Sequence, residues 1–268
     1  MLRIFTRREL LKFVGTSLFS KTGNLFAIET TGVMVTEDQK GDPGASYEHV
    51  TFDREHLDEL VSGGGKAIFE QWKKFFPAAM LGNARKFIGY SRETTPEQIS
   101  EFLRLFGLPF KDARGYIAFC AAGLAFCAGM AYADLLGITY NEANRISYIQ
   151  PLLPDIEHWY YYPTVSCMDI FHVAAGKHRW LDRKSDPSAV PKPGWLVLFD
   201  WRKNGHADHC GIISHATKEK IYTVEFNTSG KAGDSQRDGG VVAERERDYD
   251  DFIKGFVVTD LPPGGRIS

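Results

Sequence analysis

Residues Gly115–Leu135 (GYIAFCAAGLAFCAGMAYADL) form the least polar run in the chain, with Asp134 as its only charge. Such a run predicts a helix that is apolar all round and therefore buried. Ala118, Ala121, Ala122, Gly123 and Ala125 let other backbone pack close against it. Gly115 supplies a turn at its start, and Cys120 then falls one turn into the predicted helix, aimed into a cleft. A thiol near a helix N-terminus feels the positive end of the helix dipole, which favours the thiolate, the nucleophilic form. A cysteine nucleophile also needs a base, and the base needs a group to orient it. Without those partners Cys120 reads as an ordinary core cysteine.

The chain has 268 residues, 43% of them hydrophobic and 25% charged, the balance of a globular domain with ample core. Basic residues number 32 and acidic residues 34, which argues against nucleic acid as a partner. No run reaches the roughly 20 apolar residues that span a membrane. The charge is unevenly placed. Residues 1–27 hold Arg3, Arg7, Arg8, Lys12 and Lys21 against Glu9 alone, and the remainder of the chain is net acidic. A basic start, a muted apolar run from Leu10 to Phe19, and Leu25-Phe26-Ala27 have the three-part form of an export signal. Thr6-Arg7-Arg8-Glu9-Leu10-Leu11-Lys12 resembles the twin-arginine motif. The expectation is an exported protein, periplasmic or extracellular, with no stable membrane insertion once the signal is cleaved near Ala27.

Residues 28–50 are polar and carry Gly41-Asp42-Pro43-Gly44, so they read as a linker. Residues 51–90 read as a helical extension, with Phe69, Trp72, Phe75 and Phe76 clustered before Pro77. Ser62-Gly63-Gly64-Gly65-Lys66 lacks the spacing and the hydroxyl residue of a phosphate loop and reads as a flexible turn. Thr95-Pro96-Glu97-Gln98 predicts a helix start, with Thr95 as cap, Gln98 completing a capping box, and an end at Gly107. Ser166 opens a further short helix closed by Gly176, and the aromatic and proline-rich Tyr148–Pro163 between them reads as ordered loop. From Pro193 the period changes to that of strands: Trp195–Phe199, Cys210–Ser214, Ile221–Glu225, Gly240–Ala243 and Phe256–Val258. Helices first and strands after predict an α+β domain, the Cys-bearing helix packed on a small antiparallel β-sheet.

A hairpin with its turn at Thr217–Lys220 sets the start of one strand beside the end of the next. That brings His209 near Glu225 and Asn227 at one sheet edge, a base next to its orienters, with the second imidazole nitrogen left for Cys120. His206 competes as the base. His209 is preferred because the strand begins directly after it.

The order of these segments carries a resemblance. IAFCAAGLAFC, PGWLVLFDW, DHCGIIS and VEFNTSG resemble, in that order, the motifs of the CHAP domain, a cysteine, histidine-dependent amidohydrolase/peptidase of the NlpC-type papain-like cell-wall hydrolases. The resemblance covers roughly residues 91–260 of a catalytic domain read as 91–262, and each motif is weak alone. It implies a papain-like α+β fold, Cys120 as nucleophile, His209 as general base, and Glu225 and Asn227 as orienting and polar partners. It also implies attack on an amide of peptidoglycan, at the muramoyl–alanine bond or within the peptide, without a cofactor. The chain departs from the family at Phe119, at Trp195 and at Cys210, which stands where the family has valine after the histidine.

Three other readings compete. A zinc site could draw on His206, Asp208, His209, Cys210 and His215, although they do not lie on two separated elements as zinc ligands usually do. A non-catalytic wall-binding module explains the export signal and the fold but not the cysteine–histidine–glutamate set. Acyl transfer or deamidation would use the same residues. The four cysteines allow a Cys127–Cys167 disulfide, which spacing alone does not establish. Cys120 and Cys127 are too far apart along one helix to bridge.

Overall fold

The computed structural model describes residues 66–135, 138–159, 161–229, 236–250 and 252–260. The twin-arginine motif, the linker and residues 51–65 lie outside the described residues. The chain divides into two compact units, Met1–Gln71 with Leu136–Thr139, and Trp72–Leu135 with Tyr140–Ser268. Everything below concerns the second unit, apart from the first turns of one helix.

Helix α1 (Lys66–Arg85) continues past an internal proline, Pro77, and Phe76, Met80 and Ala84 on its second half are fully buried. Helix α2 (Pro96–Arg104) starts with its proline in the first turn, where the missing N–H costs nothing, and buries Ile99, Phe102 and Leu103. Thr95 does not cap it through its side chain. Its hydroxyl turns back to Ser91 instead, accepting from the Ser91 N–H at 2.9 Å and donating to the Ser91 carbonyl at 3.2 Å. The helix ends at Arg104, and Gly107, at φ +68°, closes the turn after it by donating to the Arg104 carbonyl.

The central helix α3 spans Cys120–Leu135. Cys120 is its first residue, not one turn in, because Gly115–Tyr116 (β2) pairs with Lys111–Asp112 (β1) in a small hairpin before the helix begins. Gly115 takes φ +118° in that hairpin, the left-handed region that glycine tolerates best. Every residue from Cys120 to Ala133 is buried, as an all-apolar helix must be. Gly123 fits against Phe226 so closely that a Cβ there would stand 2.2 Å from the ring. Phe102, Phe126 and Phe226 meet edge-on nearby, with Phe102 5.1 Å from Phe126 and 5.4 Å from Phe226.

Tyr148–Pro163, expected as loop, is largely helical: α4 (Arg145–Ile149), a 3₁₀ turn (Gln150–Leu152) and α5 (Leu153–Trp159). Its prolines break nothing because Pro151 and Pro154 each sit in the first turn of an element, where no N–H is needed. Helix α6 (Cys167–Gly176) begins where expected, with the Ser166 hydroxyl accepting from the Asp169 N–H at 3.2 Å.

Six strands form one antiparallel sheet: β3 (Trp180–Asp182), β4 (Leu196–Phe199), β5 (His209–Ala216), β6 (Lys220–Thr228), β7 (Val241–Asp248) and β8 (Ile253–Val257), in the order β3-β8-β4-β5-β6-β7. Strand β3 and the β1–β2 hairpin are additions to the sequence reading, and both are too short to show a period. The α+β class is as expected. The β5–β6 turn also falls where expected, with the Thr217 N–H donating to the Lys220 carbonyl at 2.8 Å. Helix α3 packs on β5 and β6. A second core holds Trp195, Val197, Phe199, Ile213, Ile221, Ile253, Phe256 and Val258. Trp195 belongs to that core, and its indole N–H donates to Asp260 at 2.8 Å. Among the described residues no helix is long and apolar enough to cross a membrane.

Candidate active site

Strand β5 is buried from its first residue, and that residue is His209. In the antiparallel ladder Gly211 stands opposite Glu225. Glu225 therefore lies diagonally across from His209, on the same face as Gly211. With no side chain at Gly211, the Glu225 stem folds over it; a Cβ there would stand 2.8 Å from the Glu225 Cγ. The carboxylate reaches His209, with Oε2 at 3.0 Å from Nε2. Both side chains are fully buried.

Glu225 is held by more than the histidine. The Thr223 hydroxyl donates to its Oε1 at 2.7 Å. Arg247 on β7 donates to both oxygens, Nε to Oε1 at 2.9 Å and a terminal nitrogen to Oε2 at 2.7 Å. Burial alone would raise the Glu225 pKa, but hydrogen bonds from His209 and Arg247 outweigh it and hold the carboxyl at about 2. The imidazole shows the opposite balance. Burial disfavours its charge, yet Cys120 and Glu225 on its two sides raise its pKa to about 9.

The remaining ring nitrogen, Nδ1, is fully buried and has no hydrogen bond of regular geometry. It is the atom left for Cys120, whose thiol interacts with the imidazole. Cys120 receives more than that. The sulfur of Cys167, the first residue of α6, is 3.7 Å from its own, and the sulfur of Cys210 lies within 4.8 Å of both. Hydrogen bonds from Cys167, then Cys210, then His209 hold the Cys120 thiol well below its ordinary pKa despite its burial. The two donor thiols move the other way. Cys167 is raised chiefly because it donates to Cys120, and Cys210 chiefly by burial. The arrangement favours a thiolate on Cys120 paired with a protonated His209. Cys120 is 5% exposed, so a reagent reaches it only when covering side chains move. Two open grooves, lined by Ser214, His215 and Tyr222 and by Glu97, Glu101 and Arg145, do not include Cys120, His209 or Glu225.

The structure thus brings Cys120, His209 and Glu225 together. It does not bring Asn227 to the imidazole. Asn227 takes φ +61° where the β6–β7 register shifts between Glu225 and Thr228. Its carbonyl oxygen accepts from Arg92 at 2.7 Å, and its amide nitrogen donates to the Arg237 carbonyl and to Asp238, both at 3.2 Å. It closes a loop rather than holding His209. His206 is exposed. All four cysteines are free, so Cys127 and Cys167 are not bridged; Cys167 faces Cys120 instead. The ligand set weighed in the sequence does not gather either. Among the described residues the one cluster suited to a metal is Cys120, Cys167 and Cys210.

Sequence reasoning missed Arg247 and Cys167. The run Glu244-Arg245-Glu246-Arg247-Asp248 alternates sign, with the acids exposed and the arginines half-buried, and this period of two would have extended β7 and turned Arg247 inward. Cys167 carries no local signal beyond its place after the Ser166 cap.

No protein-family model, curated protein or solved structure matches the chain.

Proposed function

We propose that this protein is a cysteine-dependent amide hydrolase with a papain-like arrangement. The observation that carries the reading is the buried chain Cys120–His209–Glu225, an imidazole between a thiol at a helix N-terminus and a carboxylate that Arg247 keeps ionised. Each group has a task. Cys120 attacks the carbonyl carbon, its thiolate favoured by the helix dipole and by the neighbouring thiols. His209 gives its proton to the leaving amine and then takes one from the water that cleaves the acyl-thioenzyme. Glu225 fixes the ring so that Nδ1 faces the sulfur and stabilises the imidazolium. Asn227 supports the loop through Arg92 and takes no part in proton transfer.

The resemblance to the CHAP domain supports peptidoglycan as the substrate class, and the twin-arginine-like motif at Arg7-Arg8 supports export to where that substrate lies. The test is incubation with purified peptidoglycan and mass analysis of the released fragments. New amine and carboxyl ends at one amide class support the reading. Wild-type protein that releases nothing, or a Cys120→Ala variant that releases as much as wild type, overturns it.

A further inference from the structure

Three of the chain's four cysteines meet at one point. Cys120 opens α3, Cys167 opens α6, and Cys210 is the second residue of β5. Attack on an amide needs one sulfur, so two of the three have no necessary part in that chemistry.

We propose that Cys120, Cys167 and Cys210 form a binding site for a thiophilic divalent cation of the zinc type. Their sulfurs all lie within 4.8 Å of one another and converge from three elements. Bonds of about 2.3 Å from zinc to sulfur, meeting at the tetrahedral angle, hold sulfurs about 3.8 Å apart. The Cys120–Cys167 separation is 3.7 Å. The ligands are shielded, with Cys120 at 5%, Cys167 at 6% and Cys210 at 0% exposure. Three thiolates on a dication leave one negative charge, and the N-termini of both α3 and α6 lie at the cluster to meet it.

A second observation points to a ligand here. His209 Nδ1 is fully buried beside Cys120 without a hydrogen bond of regular geometry; it lies outside the three-sulfur cluster, where it can meet a water in the cation's fourth position. Its other nitrogen is held by Glu225 at 3.0 Å. On binding, each sulfur–metal bond replaces a sulfur–proton bond where the thiol is protonated. The protons pass to solvent, the metal sheds water, and no electron moves.

The binding stands apart from the hydrolase reading, and only its consequence rests on it: a cation on Cys120 occupies the electron pair that attacks the amide, so the loaded protein is held inactive. The experiment uses the full chain, kept reduced, stripped with a chelator and titrated anaerobically with Co²⁺. The expected result is about one equivalent bound, with thiolate-to-cobalt charge-transfer absorbance that Zn²⁺ abolishes. C167S and C210S, checked for folding by circular dichroism, weaken binding by more than about a hundredfold. C127A, at a buried cysteine outside the cluster, leaves it unchanged. The absence of a charge-transfer band in folded wild-type protein overturns the proposal without any variant, as does a band that survives C167S and C210S. Amide turnover by the stripped protein is measured alongside. Cobalt binding without turnover removes the hydrolase and keeps the metal site; turnover without cobalt binding does the reverse.

Discussion

Glu225 and His209 touch at 3.0 Å although neither is the other's register partner, because Gly211, opposite Glu225, leaves the space through which the carboxylate crosses. The contact depends on a missing side chain as much as on the two that meet.

Gly211→Ala is therefore expected to damage the site out of proportion to its size. The new Cβ would stand 2.8 Å from the Glu225 Cγ and 3.3 Å from the Val224 carbonyl. Glu225 cannot yield freely, since Thr223, Arg247 and His209 all hold it. Urea unfolding should show a loss of about 1–3 kcal/mol. Amide turnover should fall further than that loss explains. Unchanged stability and turnover would mean that Glu225 is not confined as described.

Gly123→Ala tests the packing of α3 with a sign that runs against propensity. Alanine inside a helix ordinarily stabilises by up to about 1 kcal/mol relative to glycine. Here the methyl would fall 2.2 Å from the Phe226 ring, which is fully buried. The variant should unfold at lower denaturant concentration than wild type. A rise in stability would show that α3 and β6 are not in close contact at this point.

Acid should weaken the metal-free protein through Glu225. Its pKa falls from 4.5 to about 2 on folding, so its contribution is fully present above pH 4.5 and is lost as the pH drops toward 2. That contribution is about 3 kcal/mol, from 1.36 kcal/mol per pKa unit. A stability–pH curve on Glu225→Gln should lack this acid limb. Arg247→Met should cost about 3 kcal/mol or more near neutral pH, since it removes the cation from a buried carboxylate. An acid limb unchanged in Glu225→Gln would assign it to other carboxyls.

The two histidines should separate cleanly. In chelator-treated protein, Cys120 should react with iodoacetamide at lower pH than a free thiol, with the rate limited by exposure of the covered sulfur. His209→Ala should shift that profile upward and approach Cys120→Ala in lost turnover, because groups acting as one catalytic unit do not add. His206→Ala, at an exposed ring, should keep both. A profile that follows His206 instead would exchange their roles.

Much of the site was legible because its geometry is local. An all-apolar run dictates a buried helix. A four-residue turn dictates which ends of two strands meet, so His209 and Glu225 could be placed together from spacing alone. The prolines of 151–154 misled because a proline in the first turn of a helix looks, in sequence, like a proline that forbids one. Asn227 misled because a backbone turn to φ +61° swings its amide away from the face that strand alternation assigns to it.

The sequence alone determined the pairing of a histidine with a carboxylate and the presence of a thiol within the first turns of a buried helix, since both follow from short-range periodicity and turn chemistry. Only the tertiary structure decided that Cys167, 47 residues from Cys120, lies 3.7 Å from its sulfur, and that Arg247 crosses from β7 to hold Glu225. Neither contact has a spacing rule. Each depends on where whole helices and strands settle when their apolar faces close on one core, and that packing sets the charge on Cys120.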